Sequence, residues 1–531
     1  MLLFALWLLS RFQAAHGAFT EQLTLRPLPA INHVLVRLES SINETSRPSS
    51  GAPLVPTVLR QILEKYDVES LHLSFAVGRY VEWRYGSFHS SNGSDFVHVP
   101  FGTRLQATLR GNASISQRWK GITSQLGGIF SASLNQMDET VVTGLLPSSS
   151  PLELGAFSLA SADPDHTFLH GSLAREELCT ENLTPWLKML PCRAIAGLGS
   201  MIDPINVLSG EYLSLSLFAA RSQDGTWTLR QHLTTVLNPS PHNSEHWSLG
   251  SLFFGTEQVG AEVRACPLAD KSVILTEDTK DKEPSFIIEV TDLREKPVLL
   301  SSPWFDDWKT AVQEEASLQN SVITQQDVVS VHRFVTGYGQ VHGGIAVQLK
   351  NNHPSRGMLV TYHDVIPWYL RLYFHTFRAT IGGSESKAQE LIRAFDFVPA
   401  ELRNRPNQLR IVAFLPANTM IVFSLRMEKA FLYLSKHPPD ANRGFDIAPG
   451  VATFSASEND SDDSVCGKNV GFPSSTTILF TEPLLVPLST PDFSMPYNVI
   501  TMTSTVVAFF VGTMLNTLLR KAPRLQRMMT K

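Results

Sequence analysis

The sequence predicts a mainly β chain with an α/β N-terminal part, β-sandwich-type domains after it, and one C-terminal transmembrane helix. Three observations carry this reading. Helix-period segments sit among alternating runs in the first 170 residues, short alternating strands with turn signals dominate beyond them, and an uncharged run of 21 residues precedes a short basic tail. With 43% apolar and 18% charged residues, a large core can be buried and disorder as the main state is excluded. The 531 residues suggest three domains at about 150 each. Lys and Arg number 44 against 49 Asp and Glu, a net charge of −5, which argues against a broad basic surface for nucleic acid.

Residues 1–17 read as a signal peptide. Met1 to Leu9 is apolar but too short to cross a bilayer, and it leads to Ala15-His16-Gly17, small residues where a signal peptidase reads. No Lys or Arg precedes the apolar run, a departure from the usual pattern.

Residues 18–170 form the expected α/β region. Pro56 to Tyr66 places Val58, Leu59, Ile62, Leu63 and Tyr66 at helical spacing behind a proline. Leu71 to Val77 alternates as a strand, and Ser114 to Leu126 keeps Trp119, Ile122 and Leu126 in helical step.

Residues 171–498 form the expected β-rich sandwich region. Tyr212 to Phe218 alternates, Asp224-Gly225 is a hairpin turn, and Thr226 to Leu237 returns as partner strand. Gly339–Leu349, Gly357–His363 and Pro367–Thr380 continue the pattern. Arg410–Leu415 and Met420–Met427 flank the turn Pro416-Ala417-Asn418, with Ile421, Phe423, Leu425 and Met427 on one side. Many short strands with turn signals point to a sandwich, and Ser455 to Ser464 is an acidic, polar loop.

Residues 499–519 hold no charge; 21 residues at 1.5 Å rise reach about 31 Å, a bilayer's hydrocarbon core. Residues 520–531 carry Arg520, Lys521, Arg524, Arg527 and Lys531 and no acid, so this tail is placed in the cytosol and the bulk of the chain outside it, as in a type I protein. The same basic tail argues against a cleaved lipid-attachment signal. The span is polar for a lone anchor. Thr505, Gly512 and Asn516, among other small or hydrogen-bonding residues, suit packing against other membrane helices; Thr and Ser hydroxyls can also bond back to their own helix.

On a secreted path, Asn43, Asn92, Asn112, Asn182 and Asn459 are glycan sequons, although Pro185 follows the Thr184 of the Asn182 sequon. The four cysteines are Cys179, Cys192, Cys266 and Cys466. Paired within the chain they allow three connectivities, and an intermolecular bridge is also open. No CxxC supports a zinc or thioredoxin-type site.

Catalytic signatures are missing from the sequence: there is no HExxH, GxSxG, P-loop or GxGxxG. His363 and Asp364 are adjacent on a strand, so their side chains point to opposite faces and cannot easily act as base and orienter. Trp368 to His375 is an amphipathic aromatic strand suited to core packing, and Cys179 lacks a local nucleophile signature.

Four blocks together match a known family. They are Leu71-His-Leu-Ser-Phe75 with Trp83-Arg-Tyr-Gly86; Cys179-Thr-Glu-Asn-Leu-Thr-Pro-Trp186 with Leu190-Pro-Cys192; Gly337-Tyr-Gly339 with Val365 to Tyr373; and Thr481-Glu-Pro-Leu-Leu-Val486 with Pro491 to Ile500. In order along the chain, they resemble the PIG-T family, a subunit of the glycosylphosphatidylinositol (GPI) transamidase. The resemblance implies a non-catalytic scaffold in an endoplasmic reticulum membrane complex that cleaves the C-terminal signal of a proprotein and attaches a GPI lipid. The Cys/His dyad would belong to the caspase-like PIG-K subunit, and GPI and proprotein would be met through the complex with its other membrane subunits. The resemblance implies no cofactor or metal in this chain. It further implies that Cys179 bonds to PIG-K and that Cys192 pairs with Cys266 within the chain; Cys466 lies outside the matching blocks. The region before residue 57 and residues 280–325 match poorly. The competing readings are a stand-alone luminal hydrolase and a type I adhesion or receptor protein.

Overall fold

Alternating apolar residues from two distant parts of the sequence build one large sheet. The structure is a computed structural model and describes residues 17–44, 54–86, 99–111, 113–143, 166–176, 178–193, 195–222, 224–239, 247–256, 260–277, 287–305, 328–337, 339–433, 437, 444–456, 477–490 and 494–529. Ten strands take part: β1 (Gly17–Leu28), β2 (His33–Glu44), β3 (Val68–Val77), β4 (Gly102–Arg110), β5 (Val142–Thr143), β6 (His166–Leu173), β7 (Leu213–Arg221), β8 (Trp227–Leu237), β9 (Lys271–Glu277) and β10 (Ile287–Asp292). Their order is β10-β9-β1-β2-β8-β7-β3-β4-β6-β5. All neighbours run antiparallel except β1 and β9, where Thr20 pairs with Lys271 in parallel.

One face of this sheet is apolar and lies under helices. Leu71, Leu73 and Phe75 of β3 and Leu215 and Leu217 of β7 share one core with helix residues. The helices are α1 (Thr57–Lys65), α2 (Ile115–Phe130), α3 (Thr180–Lys188), α4 (Pro204–Leu208) and α5 (Leu249–Phe254). Pro56, at φ −54°, caps α1 with no N–H to leave unsatisfied. Leu59, Ile62 and Leu63 then recur on one side and are buried, each contributing roughly 2 kcal/mol. Trp119, Ile122, Leu126 and Phe130 do the same for α2. The opposite face is polar and still buried in part, with Ser74, Gln106, His170, Ser214 and Thr234 all below 10% exposure.

The second unit is a β-sandwich. Its first sheet holds β11 (Val329–Thr336), β12 (His342–Asn351), β14 (Leu370–Ile381) and β17 (Thr419–Lys429), in the order β11-β12-β17-β14. Its second holds β13 (Met358–Ile366), β15 (Ile392–Val398), β16 (Asn407–Leu415), β19 (Val451–Ala456) and β20 (Thr477–Phe480), in the order β15-β16-β13-β19-β20. Val331, Leu349, Ile421 and Phe423 of the first meet Val360, Tyr362, Ile411 and Phe454 of the second. A short helix, α6 (Glu385–Leu391), links β14 to β15, and Phe374 stacks on Phe397 at 4.2 Å where those strands meet. A two-stranded ribbon, β18 (Phe445–Ile447) and β21 (Leu484–Val486), leads toward the last helix, α7 (Ser494–Met529). Within α7, Tyr497–Leu519 is long and apolar enough to cross a membrane and has no part buried in the chain.

The fold class read from the sequence is the observed one: mainly β, helices in the N-terminal part, a sandwich, and one C-terminal apolar helix. The boundary at 170/171 is corrected. It falls inside β6, and the first sheet continues through β7 and β8 to β10, so the architectural change lies between Phe305 and Val328. The physical reason is sheet order: β7 and β8 fill the centre of the first sheet, between β2 and β3. The signal-peptide reading of 1–17 lies outside the described residues except for Gly17, which opens β1.

Candidate functional site

Cys179 stands at the start of α3 in extended backbone (φ −138°, ψ −179°). Its backbone N–H donates to Asn182 Oδ1 at 2.9 Å, and its thiol lies 3.1 Å from the same oxygen. Asn182 Nδ2 in turn donates to the carbonyl of Phe130, the last residue of α2, at 2.6 Å. The helix behind is braced: Leu183, Trp186 and Leu187 are buried, Trp186 Nε1 donates to Ser216 O at 3.0 Å, and Gln231 Nε2 donates to Trp186 O at 2.9 Å. The Cys179 thiol itself is exposed and free. It therefore projects from a rigid platform into solvent, oriented by an amide rather than by a histidine.

A second brace follows. Cys192 and Cys266 are joined by a disulfide, Cα to Cα 5.6 Å, across 74 residues of sequence. Glu21 of β1 lies against this bridge and accepts from Ser272 Oγ (2.6 Å) and the Leu198 N–H (3.1 Å). Burial nonetheless pushes its carboxyl above the usual range. Gly197, at φ +83°, passes so close that a Cβ there would meet Glu21 Oε2 at 2.8 Å.

The sequons divide. Asn43 is exposed near the end of β2. Asn92, Asn112 and Asn459 lie outside the described residues. Asn182 is corrected as a glycan acceptor: it is 1% exposed and the nitrogen that would carry the sugar is spent on Phe130 O.

The two units meet at residues far apart in sequence. Arg79 Nη1 pairs with Glu482 at 2.6 Å, and Glu482 also accepts from the Arg333 N–H at 3.1 Å and contacts His332 Nδ1 at 2.8 Å. Burial raises the Glu482 carboxyl, but the Arg333 and His332 hydrogen bonds and the Arg79 charge outweigh it and hold it below the usual range. Beside this lies a narrow cleft of about 30 Å³, room for one or two waters, with Arg104 and His170 on one wall and His363 and Pro449 on the other. Arg104 Nε donates to His170 Nε2 at 2.7 Å. Burial lowers both histidines, His363 to about 4, and the Arg104 charge lowers both further.

His363 and Asp364 diverge as their strand position requires. His363 faces the cleft, while Asp364 is buried in the sandwich against Arg333 and Tyr362. Sequence reasoning missed Arg79, Arg104 and His170, which carry no local signature; Glu482 sits in a quoted block but its partner is 403 residues away. Among the described residues, no group of three His, Cys, Asp or Glu side chains converges to hold a metal.

In the last helix Thr505 Oγ1 donates to Met502 O at 2.8 Å, and Thr501, Thr503, Ser504, Thr513 and Thr517 likewise bond back to their own helix. Gly512 has no heavy atom within 4 Å of where a Cβ would stand, and Asn516 is exposed.

A sheet-and-helix unit joined to a β-sandwich, with an exposed thiol on a braced helix and an apolar helix after the sandwich, defines a β-rich protein with one candidate membrane span among the described residues. More particularly, the chain belongs to the Gpi16 family, described as "Gpi16 subunit, GPI transamidase component", which it matches over residues 2–248 and 243–530. The mouse "GPI-anchor transamidase component PIGT" is 32% identical over 550 residues, covering 96% of this chain and 90% of its own length. The human protein of the same name is 32% identical, covering 94% and 90%. The Saccharomyces cerevisiae "GPI transamidase component GPI16" is 26% identical over 583 residues, covering 95% and 88%.

Proposed function

We propose that this chain is the non-catalytic scaffold subunit of the endoplasmic reticulum GPI transamidase, anchored as a type I protein by residues 499–519 and joined through Cys179 to a caspase-like PIG-K subunit. The observation that supports this most directly is the exposed Cys179 thiol, held on a braced helix while Cys192 and Cys266 close on each other. Two thiols joining into one disulfide release two protons and two electrons, which a disulfide of the oxidising lumen's thiol–disulfide exchange system accepts, becoming a dithiol. The bond makes further contacts between the subunits intramolecular and holds them in register, without this chain touching the reacting atoms. The basic residues after Leu519 support the cytosolic placement of the tail. Glycans at Asn43, Asn92, Asn112 and Asn459 fit a luminal bulk. The helix packs against other membrane subunits through Thr505, Gly512 and Asn516, and GPI and proprotein are met through the complex.

Affinity purification of the tagged full chain in mild detergent tests the reading. A caspase-like subunit and other membrane subunits are expected to co-purify, with proprotein cleavage lost when the partner's cysteine is replaced. A chain that purifies alone and cleaves unaided would instead be a hydrolase.

A further inference from the structure

The end of the sandwich that feeds the last helix carries an apolar rim. Leu488 packs with Trp368, Leu370 and Ala430, and Ala400 and Leu432 lie against the same cluster. Ser489 then donates to Gln340 O at 3.3 Å, so the chain stays fixed to the sandwich until this point. Helix α7 begins at Ser494, five residues later, a reach of at most about 18 Å. The neighbours of the packed residues point the other way: Phe431 is 73% exposed, Leu402 61% and Tyr433 60%. The Arg403 guanidinium sits 4.0 Å over the Tyr433 ring. Arg405 stands beside it, paired with Glu401 at 3.1 Å.

We propose that Leu402, Phe431 and Tyr433 form a membrane-resting rim that inserts into the headgroup interface of the bilayer crossed by Tyr497–Leu519. Aromatic rings with a polar edge and apolar bodies belong at that interface, where one end is wet and the other is not. Arg403 faces lipid phosphates while its plane covers Tyr433. The rim shares an end with the departing helix, so lipid is the surface it meets. Two attachments, rim and helix, then fix the tilt and height of the sandwich above the membrane. The proposal rests on the reading of Tyr497–Leu519 as a span.

The test is fluorescence quenching in nanodiscs of zwitterionic and anionic phospholipid, on the full chain carrying Cys179→Ser and Cys466→Ser. An environment-sensitive label is attached through Phe431→Cys or, as a second site, Leu402→Cys. Ser355→Cys, about 30 Å away at the other end of the sandwich, is the distant control, and Val507→Cys reports the span. Spin labels near the headgroup are expected to quench the rim sites several-fold more than Ser355→Cys, while deep spin labels quench Val507→Cys. Rim quenching equal to the control, with Val507→Cys still quenched, overturns the proposal. So does rim quenching that vanishes in the assembled complex, which would assign the rim to another subunit. A Val507→Cys label that escapes the deep quencher sinks the span reading, and the rim proposal with it.

Discussion

Asp364 takes two hydrogen bonds from the Arg333 Nη1 at 2.7 and 2.9 Å and one from the Tyr362 hydroxyl at 2.7 Å, all inside the sandwich. The other Arg333 nitrogen donates to the carbonyls of Ala448 and Glu482, so one guanidinium ties both sheets and the loops between them. Removing one partner of such a pair strands the other charge in low dielectric. Asp364→Asn, of equal shape, is therefore expected to cost about 3–5 kcal/mol, read by denaturant unfolding. A loss below about 1 kcal/mol would mean that water reaches the site. Single residues were also where the sequence misled. The pattern at Asn182 is a complete sequon, yet the same side chain stitches α3 to α2, and no local pattern records burial. The pairing of Cys192 with Cys266 came from family resemblance, since spacing alone left three connectivities open.

At the scale of the element, alternation and helical spacing were the reliable signals. The expected helix over 56–66 is Thr57–Lys65, and the hairpin around Asp224-Gly225 joins β7 to β8, with Gly225 at φ +79°. Strands β1 and β2 went unread, although the short apolar run Val34-Leu35-Val36 with Leu38 was signal enough to have found β2. The last helix is legible as a span, but its polar residues have two uses. Their hydroxyls bond back to the helix, which removes the cost of their polarity and leaves their small size as the feature that would matter to a neighbour. Gly512→Leu is accordingly expected to reduce co-purification of membrane subunits several-fold without lowering expression or insertion. Unchanged recovery, measured by quantitative mass spectrometry, would reduce the span to a plain anchor.

The whole molecule is set by contacts that span the chain: β1 beside β9 in parallel, and Arg79 on Glu482. Such contacts explain why a boundary drawn at residue 170 by the change from mixed to β-rich sequence cut through a sheet. They also give the junction a pH response. His170 and His363 are held neutral where the units meet, with folded pKa values depressed by burial and by Arg104. A depressed histidine contributes stability that is complete above its unfolded value near 6.5 and is lost as pH falls through the folded value, about 4 for His363. Unfolding of the detergent-solubilised chain should thus be flat above pH 7 and weaken from about 6.5 to 4, with His363 alone contributing on the order of 3 kcal/mol. His363→Gln should make that slope shallower without abolishing it, because burial depresses His72, His170 and His232 over the same window; an unchanged slope would place the titration in those other histidines.

The central claim is that Cys179 carries the covalent tie to a catalytic partner. Full-length tagged chain from mild detergent, run on reducing and non-reducing gels beside Cys179→Ser, tests it most directly. The expected result is a heavier band under non-reducing conditions that contains a caspase-like subunit, collapses with reductant and is absent in the variant. A wild-type chain that runs only as monomer, or a heavier band that persists in Cys179→Ser, would contradict it.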